Sequence, residues 1–374
     1  MIMKIATIVG TRPELIKLSA VIKKLDTICD HLLIHTGQNY DFELNEIFFK
    51  DLEIRKPNIF LEAAGDNFAY TISQIISKSY DVLVKEKPDA ILLYGDTNSC
   101  LCVIVAKRLK IPVFHMEAGN RCFDERVPEE LNRKIVDHLS DINMPISDHA
   151  RSYMEREGIP PETIIKIGSS MPEVLNNQKK KIKSSSILSK LALKEKDFIV
   201  VSLHREENVD SLNNLTNIVN SINEIVRFYK KKVIFSIHPR TKRKLISFGL
   251  EDKLSSDVIQ SKPFGFNDYI RLQQKSFCVI SDSGTISEES SILKFPAITI
   301  RQSHERPEAM DEGTVIMTGF NKQNIIDSIK IVTSTDASQI NTALDYRPEN
   351  VSEKVVRIMF SYVDYINRNV WKKF

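Results

Sequence analysis

His115–Arg133 reads HMEAGNRCFDERVPEELNR and follows the apolar run IPVF. Five carboxylates, three arginines and one histidine fall in it, and no apolar periodicity continues past Gly119. A stretch so dense in charge is poor core material. At the carboxyl end of a buried strand it lies where open parallel α/β sheets bind their ligands. Glu117 at the strand end and Glu129 and Glu130 at the start of the next helix are therefore the first candidates for chemistry. Acidic residues in a first helical turn also suit the helix dipole. For Glu130 that simpler role is preferred, whereas Glu117 has no helix to serve.

Working outward, the same unit recurs. Lys4–Val9 is an apolar run ending in GTRPELIK, a buried strand, a turn and a helix with Pro13 at its first position. Further short apolar runs follow at Leu32–His35, Ala90–Tyr94, Ile111–His115, Ile142–Ile146 and Ile164–Ile167, each ending in a polar segment. Amphipathic stretches such as Tyr70–Lys85 and Cys100–Leu109 separate them. Continuously apolar strands alternating with helices predict an α/β chain with a doubly wound parallel sheet.

The basic, Ser-rich segment 176–196 reads as a connection. A second alternation then begins: Phe198–Leu203, Lys232–Ile237, Phe277–Ile280 and Ala297–Ile300, with helices including Leu215–Phe228 and Asp268–Gln274. The expected organisation is a Rossmann-like domain over 1–175, a linker over 176–196, a second Rossmann-like domain over 197–345, and a helical tail over 346–374 packing back across them. Two such halves with polar strand ends imply a cleft between them that closes over its ligand.

The 374 residues suit two domains at the usual ~100–200 residues each. A net charge of +3, from 52 basic and 49 acidic side chains spread along the chain, gives no nucleic-acid-binding stripe. No segment approaches the ~20 apolar residues that cross a bilayer, and MIMKIATIVG lacks the features of a signal peptide. Five cysteines without a CxxC pair argue against disulfides or a Cys-rich zinc site, and for a reducing cytoplasm.

Chemistry-bearing residues cluster at the strand ends. Arg12 and Lys17 stand near a helix N-terminus, where free N–H donors, the dipole and two cations suit an anion. An ordinary solvated turn competes for Lys17. Neither GxGxxG nor GxxxxGK occurs, which argues against a tightly bound NAD. Asp96 in GDTNS joins Glu117 and Glu129 as a third carboxylate, and convergence of the three would raise some of their pKa values. A helix-capping role for Asp96 weighs about equally. In the second half, His204 ends a strand, and Ser283 and Gly284 in SDSGTISEE offer donors to phosphate oxygens where a strand turns into a helix. Glu289, further along that helix, is placed to reach ribose hydroxyls. Together these describe a nucleoside diphosphate site without a metal, since no HExxH or clustered His/Asp set is present.

GTRPE with Lys17, GDTNS, HMEAG with PEELNR, His204-Arg205, SDSGTISEE and ERPEA stand in an order that resembles the non-hydrolysing UDP-N-acetylglucosamine 2-epimerase family over essentially the whole chain. The resemblance implies a GT-B-like fold, no cofactor, a homodimer, and inversion at C2 of a UDP-linked 2-acetamido sugar by elimination of UDP to a glycal and re-addition. It also implies roles: Asp96, Glu117 and Glu129 as the catalytic carboxylates, without assigning base and acid, and His204 beside the leaving diphosphate. Arg12, Lys17 and Arg133 fall around diphosphate and sugar, and Ser283, Gly284 and Glu289 in the UDP-binding run. Where the common pattern has HVEAGLRT and a longer aromatic-rich loop, this chain has HMEAGNRCFDER; where it has TAQHR, this chain has HTGQNYD. Both changes resemble the branch that makes UDP-N-acetyl-L-fucosamine from UDP-2-acetamido-2,6-dideoxy-β-L-talose for surface polysaccharide, and make Asn120–Val127 the expected sugar-selecting loop. UDP-N-acetylglucosamine to UDP-N-acetylmannosamine is the alternative. A GT-B glycosyltransferase and a non-catalytic UDP-sugar binder are the readings from other classes.

Overall fold

A computed structural model describes residues 2–37 and 42–373, without the side chains of 42–46. Gln38, Asn39, Tyr40 and Asp41, which carry most of the HTGQNYD departure, lie outside the described residues.

The described residues form two compact units, 1–177 with 347–374, and 178–346. The first contains six parallel strands: β1 (Lys4–Val9), β2 (Asp30–His35), β3 (Ile59–Phe60), β4 (Ala90–Tyr94), β5 (Val113–Met116) and β6 (Ile142–Met144), in the order β3-β2-β1-β4-β5-β6. The second repeats the pattern with β7 (Phe198–Leu203), β8 (Lys232–Ile237), β9 (Val258–Ser261), β10 (Cys278–Ser281), β11 (Ala297–Thr299) and β12 (Ile316–Met317), in the order β12-β11-β10-β7-β8-β9. Helices flank both sheets, giving the two Rossmann-like α/β units of a GT-B-like fold. The order reverses between β1 and β4, and again between β7 and β10, and ligands bind at the carboxyl ends beside such a reversal. Those ends carry Gly10-Thr11-Arg12 and Gly95-Asp96-Thr97 in the first unit, and His204 and Asp282-Ser283 in the second.

Central strands are buried on both faces, which is why their apolar runs were legible: β4 is AILLY, every residue buried. Three pairing segments at sheet edges, β3, β9 and β12, have no such run. An edge strand pairs on one side only and needs little apolar sequence. Ile164–Ile167, expected as a strand, makes only an isolated bridge to Asn143, because it runs beside Pro145, which has no amide to donate. The expected helix Cys100–Leu109 is a 3₁₀ turn, Asn98–Cys102, leading into Val103–Arg108.

The segment read as a connection is helical over Met171–Ser184 and Ile187–Lys190. Met171, Val174, Leu175, Gln178 and Ile182 recur at helical spacing and are buried, while Lys179, Lys180 and Lys181 take the other side. After Tyr346 the chain returns to the first unit. Helix Val351–Asn369 packs on helix Arg12–Ile28, pinned by Ser352 N to Glu173 Oε2 at 2.8 Å and Lys24 Nζ to Glu353 at 2.8 Å. Among the described residues no helix is long and apolar enough to cross a membrane.

Candidate functional site

In the first unit Glu117 directly follows β5 and Asp96 lies two residues past the end of β4, its neighbour in the sheet. Glu117 has φ +61°, a left-handed conformation that costs a non-glycine residue roughly 1 kcal/mol and tends to persist where function needs it. Its Oε2 accepts from Tyr94 Oη at 2.5 Å and lies 3.4 Å from Lys17 Nζ. Lys17 is buried, so the competing reading of an ordinary solvated turn does not hold for it.

Asp96 does not cap the helix that follows it; Thr97 is the N-cap. Asp96 Oδ2 instead meets Arg133, at 2.8 Å from Nε and 2.7 Å from Nη2. Helix Pro128–Leu139 places that arginine. Its buried residues are Glu130, Asn132, Arg133, Val136 and Asp137, while Leu131 is 64% exposed, so the periodicity is helical but the inward stripe is mostly polar. Asn132 Nδ2 also donates to the Asp96 carbonyl at 2.9 Å. Glu129, half-buried in the first turn, is thus on a helix tied to the Asp96 turn.

Glu130 does more than serve the helix dipole. It accepts from the Cys122 and Phe123 amides at 3.1 Å each and from Arg133 Nη1 at 2.8 Å, anchoring the loop 120–127. Burial works to raise its pKa, but these donors outweigh it and hold the carboxyl below its ordinary value. The start of the loop is fastened by Asp137, which is fully buried and accepts from Gly119 N at 3.1 Å and Arg121 Nη1 at 2.7 Å. His115 Nδ1 lies 2.9 Å from the other Asp137 oxygen, and its Nε2 meets the Gly95 carbonyl at 2.8 Å. Arg12, the first residue of its helix, lies over the Phe48 ring at 5.6 Å.

In the second unit the organising residue is Asp282, which sequence reading passed over. It is fully buried and accepts from the amides of His204 and Arg205 and from Asn208 Nδ2 at 2.8–3.1 Å. His204 Nδ1 lies 3.0 Å from its Oδ1. An imidazole held at Nδ1 by a carboxylate has Nε2 left for a ligand, and the His204 side chain is 40% exposed. Burial raises the Asp282 pKa, but His204 and the amides overcome it and hold it at about 2. This stabilisation is fully present above the ordinary carboxyl value and is lost as pH falls through about 2. Asp282→Asn is accordingly expected to lower stability at neutral pH by about 2 kcal/mol. Urea unfolding of both proteins between neutral pH and pH 2 should show that gap closing; a gap independent of pH would contradict the linkage.

Ser283 and Gly284 precede helix Thr285–Leu293, with Gly284 as N-cap. A Cβ on Gly284 would stand 2.5 Å from Glu305 Oε1, so only glycine lets that carboxylate approach. Glu305 is itself held by Arg205 Nη2 at 3.3 Å and Arg301 Nη1 at 2.7 Å. Glu289 is buried in the second turn and accepts from Gln273 Nε2 at 2.7 Å.

Each unit thus concentrates its charged, hydrogen-bonded residues at the switch point of its sheet. Tyr94, Glu14, Asp137 and Asp282 are the residues that sequence reading missed. The spacing Thr11-x-x-Glu14 is a capping-box signature that could have found Glu14; nothing in AILLY marks Tyr94.

Comparison with known proteins places the chain in a family. The UDP-N-acetylglucosamine 2-epimerase family model matches residues 23–360. The chain is 50% identical to a Rickettsia bellii protein whose solved structure is described as a UDP-N-acetylglucosamine 2-epimerase, with a TM-score of 0.92 and all of both chains covered. It is 35% identical to the Methanocaldococcus jannaschii enzyme solved with UDP-GlcNAc and UDP, with a TM-score of 0.91 over 96% of this chain and 100% of that one. A Pseudomonas aeruginosa UDP-2,3-diacetamido-2,3-dideoxy-D-glucuronate 2-epimerase is 35% identical over 88% of this chain and 92% of its own length. The chain belongs to the UDP-N-acetylglucosamine 2-epimerase family and is an isomerase.

Proposed function

We propose that the protein inverts C2 of a UDP-linked 2-acetamido sugar by eliminating UDP and adding it back. The observation that carries this is the pairing at neighbouring strand ends of two carboxylates with two cations: Glu117 with Lys17 and Tyr94, and Asp96 with Arg133. The C2 hydrogen lies beside no carbonyl and is not acidic by itself. A carboxylate removes it as the C1–O bond to UDP breaks; the C2–H electrons form the C1=C2 bond and the pair on oxygen leaves with UDP. A proton then reaches the opposite face of C2 and a UDP oxygen returns to C1. Base and acid come from Asp96, Glu117 and Glu129, and the cations favour charge on the departing diphosphate. His204, oriented by Asp282, and the Ser283-Gly284 turn hold UDP, while Glu289 belongs to the same binding run. Arg12 and Lys17 serve the diphosphate.

The substrate we assign is UDP-2-acetamido-2,6-dideoxy-β-L-talose, giving UDP-N-acetyl-L-fucosamine for surface polysaccharide. The support is the short loop Asn120–Val127, fastened by Glu130 and Asp137, together with the NRCFDER sequence it carries. A family member acting on a diacetamido uronate shows that sugars other than N-acetylglucosamine occur among relatives. The second reading, UDP-N-acetylglucosamine to UDP-N-acetylmannosamine, is favoured by the names of the relatives in Rickettsia bellii and Methanocaldococcus jannaschii. Incubating the protein with each sugar in deuterated water tests both levels. Deuterium is expected at C2 of the product, and kcat/KM is expected to favour the 6-deoxy sugar by roughly tenfold to a hundredfold. Retained protium would sink elimination and re-addition; a preference for UDP-N-acetylglucosamine would establish the second substrate.

A further inference from the structure

The buried carboxyl of Glu14 has no part in the chemistry above, yet it sits where the first sheet reverses its strand order. Glu14 folds back across the start of helix Arg12–Ile28, and its Oε2 accepts from the Gly10 and Thr11 amides at 2.5 and 2.8 Å. A capping box in water would end there. Here Oε1 also accepts from Thr97 Oγ1 at 2.5 Å, in the turn that follows β4. Thr97 is the residue after Asp96.

Gly10, in the β1 turn, also packs closely on Ser99 and on Thr36, the residue after β2. Thr36 Oγ1 and Ser99 Oγ are 2.7 Å apart, and a Cβ on Gly10 would stand 2.4 and 1.9 Å from them. One carboxyl, 2% exposed, therefore fastens the turn that leads to Arg12 and Lys17 to the turn that carries Asp96. Three donors point at it, and three donors are best answered by an ionised carboxylate. Burial opposes that charge, and Asp96 adds to the opposition; against the bonds from Thr97, Gly10 and Thr11 they bring the Glu14 pKa to about 7. The other titratable groups that feel Glu14 are Cys100 and Cys102, whose thiols burial pushes well above their ordinary value, so they stay neutral. Lys17, one turn along the same helix, faces Glu117.

We propose that Glu14 is a positioning residue for the epimerisation: its carboxylate holds the Asp96 turn in register with the β1 turn, and its protonation releases that register. The inference rests on the reading of Asp96 as a catalytic carboxylate.

The experiment follows kcat and KM for the UDP-sugar turned over, from about pH 5 to about pH 9, in the wild type and in Glu14→Gln, Thr97→Val, Thr97→Ser and Asp96→Asn. In the wild type kcat should fall on the acid side with a midpoint near the Glu14 value of about 7. Glu14→Gln should lose that acid limb and run at a kcat lower by roughly 10–100-fold, with KM little changed. Thr97→Val should move the limb to higher pH, because the lost hydroxyl was lowering the Glu14 pKa. Thr97→Ser, which keeps the hydroxyl, should restore the wild-type profile. A merely structural staple would change melting temperature and leave the limb in place. An unmoved limb in Thr97→Val, with Asp96→Asn inactive, overturns this inference alone, and does so even if Glu14→Gln fails to fold. An active Asp96→Asn overturns the reading of Asp96 and this inference with it.

Discussion

Glu117→Gln is expected to lower kcat by roughly 10²–10⁴-fold, the usual contribution of a positioned acid or base, while UDP affinity stays within a few fold. Glutamine matches the shape of glutamate, and the Glu117 amide bond to the Met144 carbonyl at 3.1 Å does not involve the side chain, so the turn should survive. What changes is the oxygen that now takes Tyr94 Oη and faces Lys17 Nζ. An amide neither accepts a proton from C2 nor delivers one. Lys17, which is buried, then faces a neutral amide in place of the Glu117 carboxylate, which should cost about 1–3 kcal/mol of stability. Of the groups assigned to UDP, His204, Ser283, Gly284 and Glu289 belong to the other compact unit and are untouched, while Lys17, assigned to the diphosphate, keeps its charge beside the substituted side chain. Calorimetric titration of UDP, turnover, and deuterium incorporation at C2 together separate binding from chemistry. Undiminished exchange in Glu117→Gln would remove this residue from the proton-transfer machinery.

The sequence told most where one physical rule acted alone. Strands buried on both faces, such as AILLY and the FIVV that opens β7, have to be apolar, and they declared themselves. Edge strands such as Ile59–Phe60 and Ile316–Met317 bury little, so no run marked them. Met171–Ser184 hid its helical stripe among lysines because basic residues dominate the composition while a few apolar positions decide the packing.

Helix Pro128–Leu139 shows the opposite failure. Its periodicity is present in the sequence, carried inward by Glu130, Arg133 and Asp137 and outward by Leu131, so a search for apolar stripes sees none. The charges could be read as functional but their partners could not, since Asp96 and Gly119 are distant in sequence. Asp282 and Glu14 were hidden for a related reason. Each lies inside a motif read for its neighbours, and each is a buried carboxyl whose role is to collect backbone amides. For Asp282 that role becomes visible only when the turn is folded; for Glu14 the capping-box spacing carries the amide contacts, and only the bond from Thr97 waits on the fold.

Asp137→Ala is expected to destabilise the first unit by roughly 3–5 kcal/mol, the cost of removing one partner from a buried ion pair. Asp137 and the Arg121 side chain are both fully buried. Removing the carboxylate takes an acceptor from the Gly119 amide and from Arg121 Nη1, although Nη1 still donates to the Asn120 carbonyl at 2.8 Å and Glu157 still holds Arg121 through Nε at 2.8 Å and Nη2 at 2.6 Å. Asp137→Asn keeps one acceptor and should cost less, about 1–3 kcal/mol. Burial raises the Asp137 pKa, but His115 and Arg121 overcome it and hold the carboxyl below its ordinary value. The contribution is therefore present above the ordinary carboxyl pKa and is lost as pH falls through the lowered value, so the gap to Asp137→Ala should narrow in acid. Trp371 is the single tryptophan and lies in the first unit, so its fluorescence in a urea series follows the unit that contains the change. A loss below about 1 kcal/mol would mean that Glu157 and the Asn120 carbonyl suffice to secure Arg121, and that the loop bearing Asn120–Val127 is set by Glu130 rather than by this buried aspartate. A large loss would make the helix Pro128–Leu139 the common support of the loop and of Asp96, because Asp137 and Arg133 stand four residues apart on its buried face.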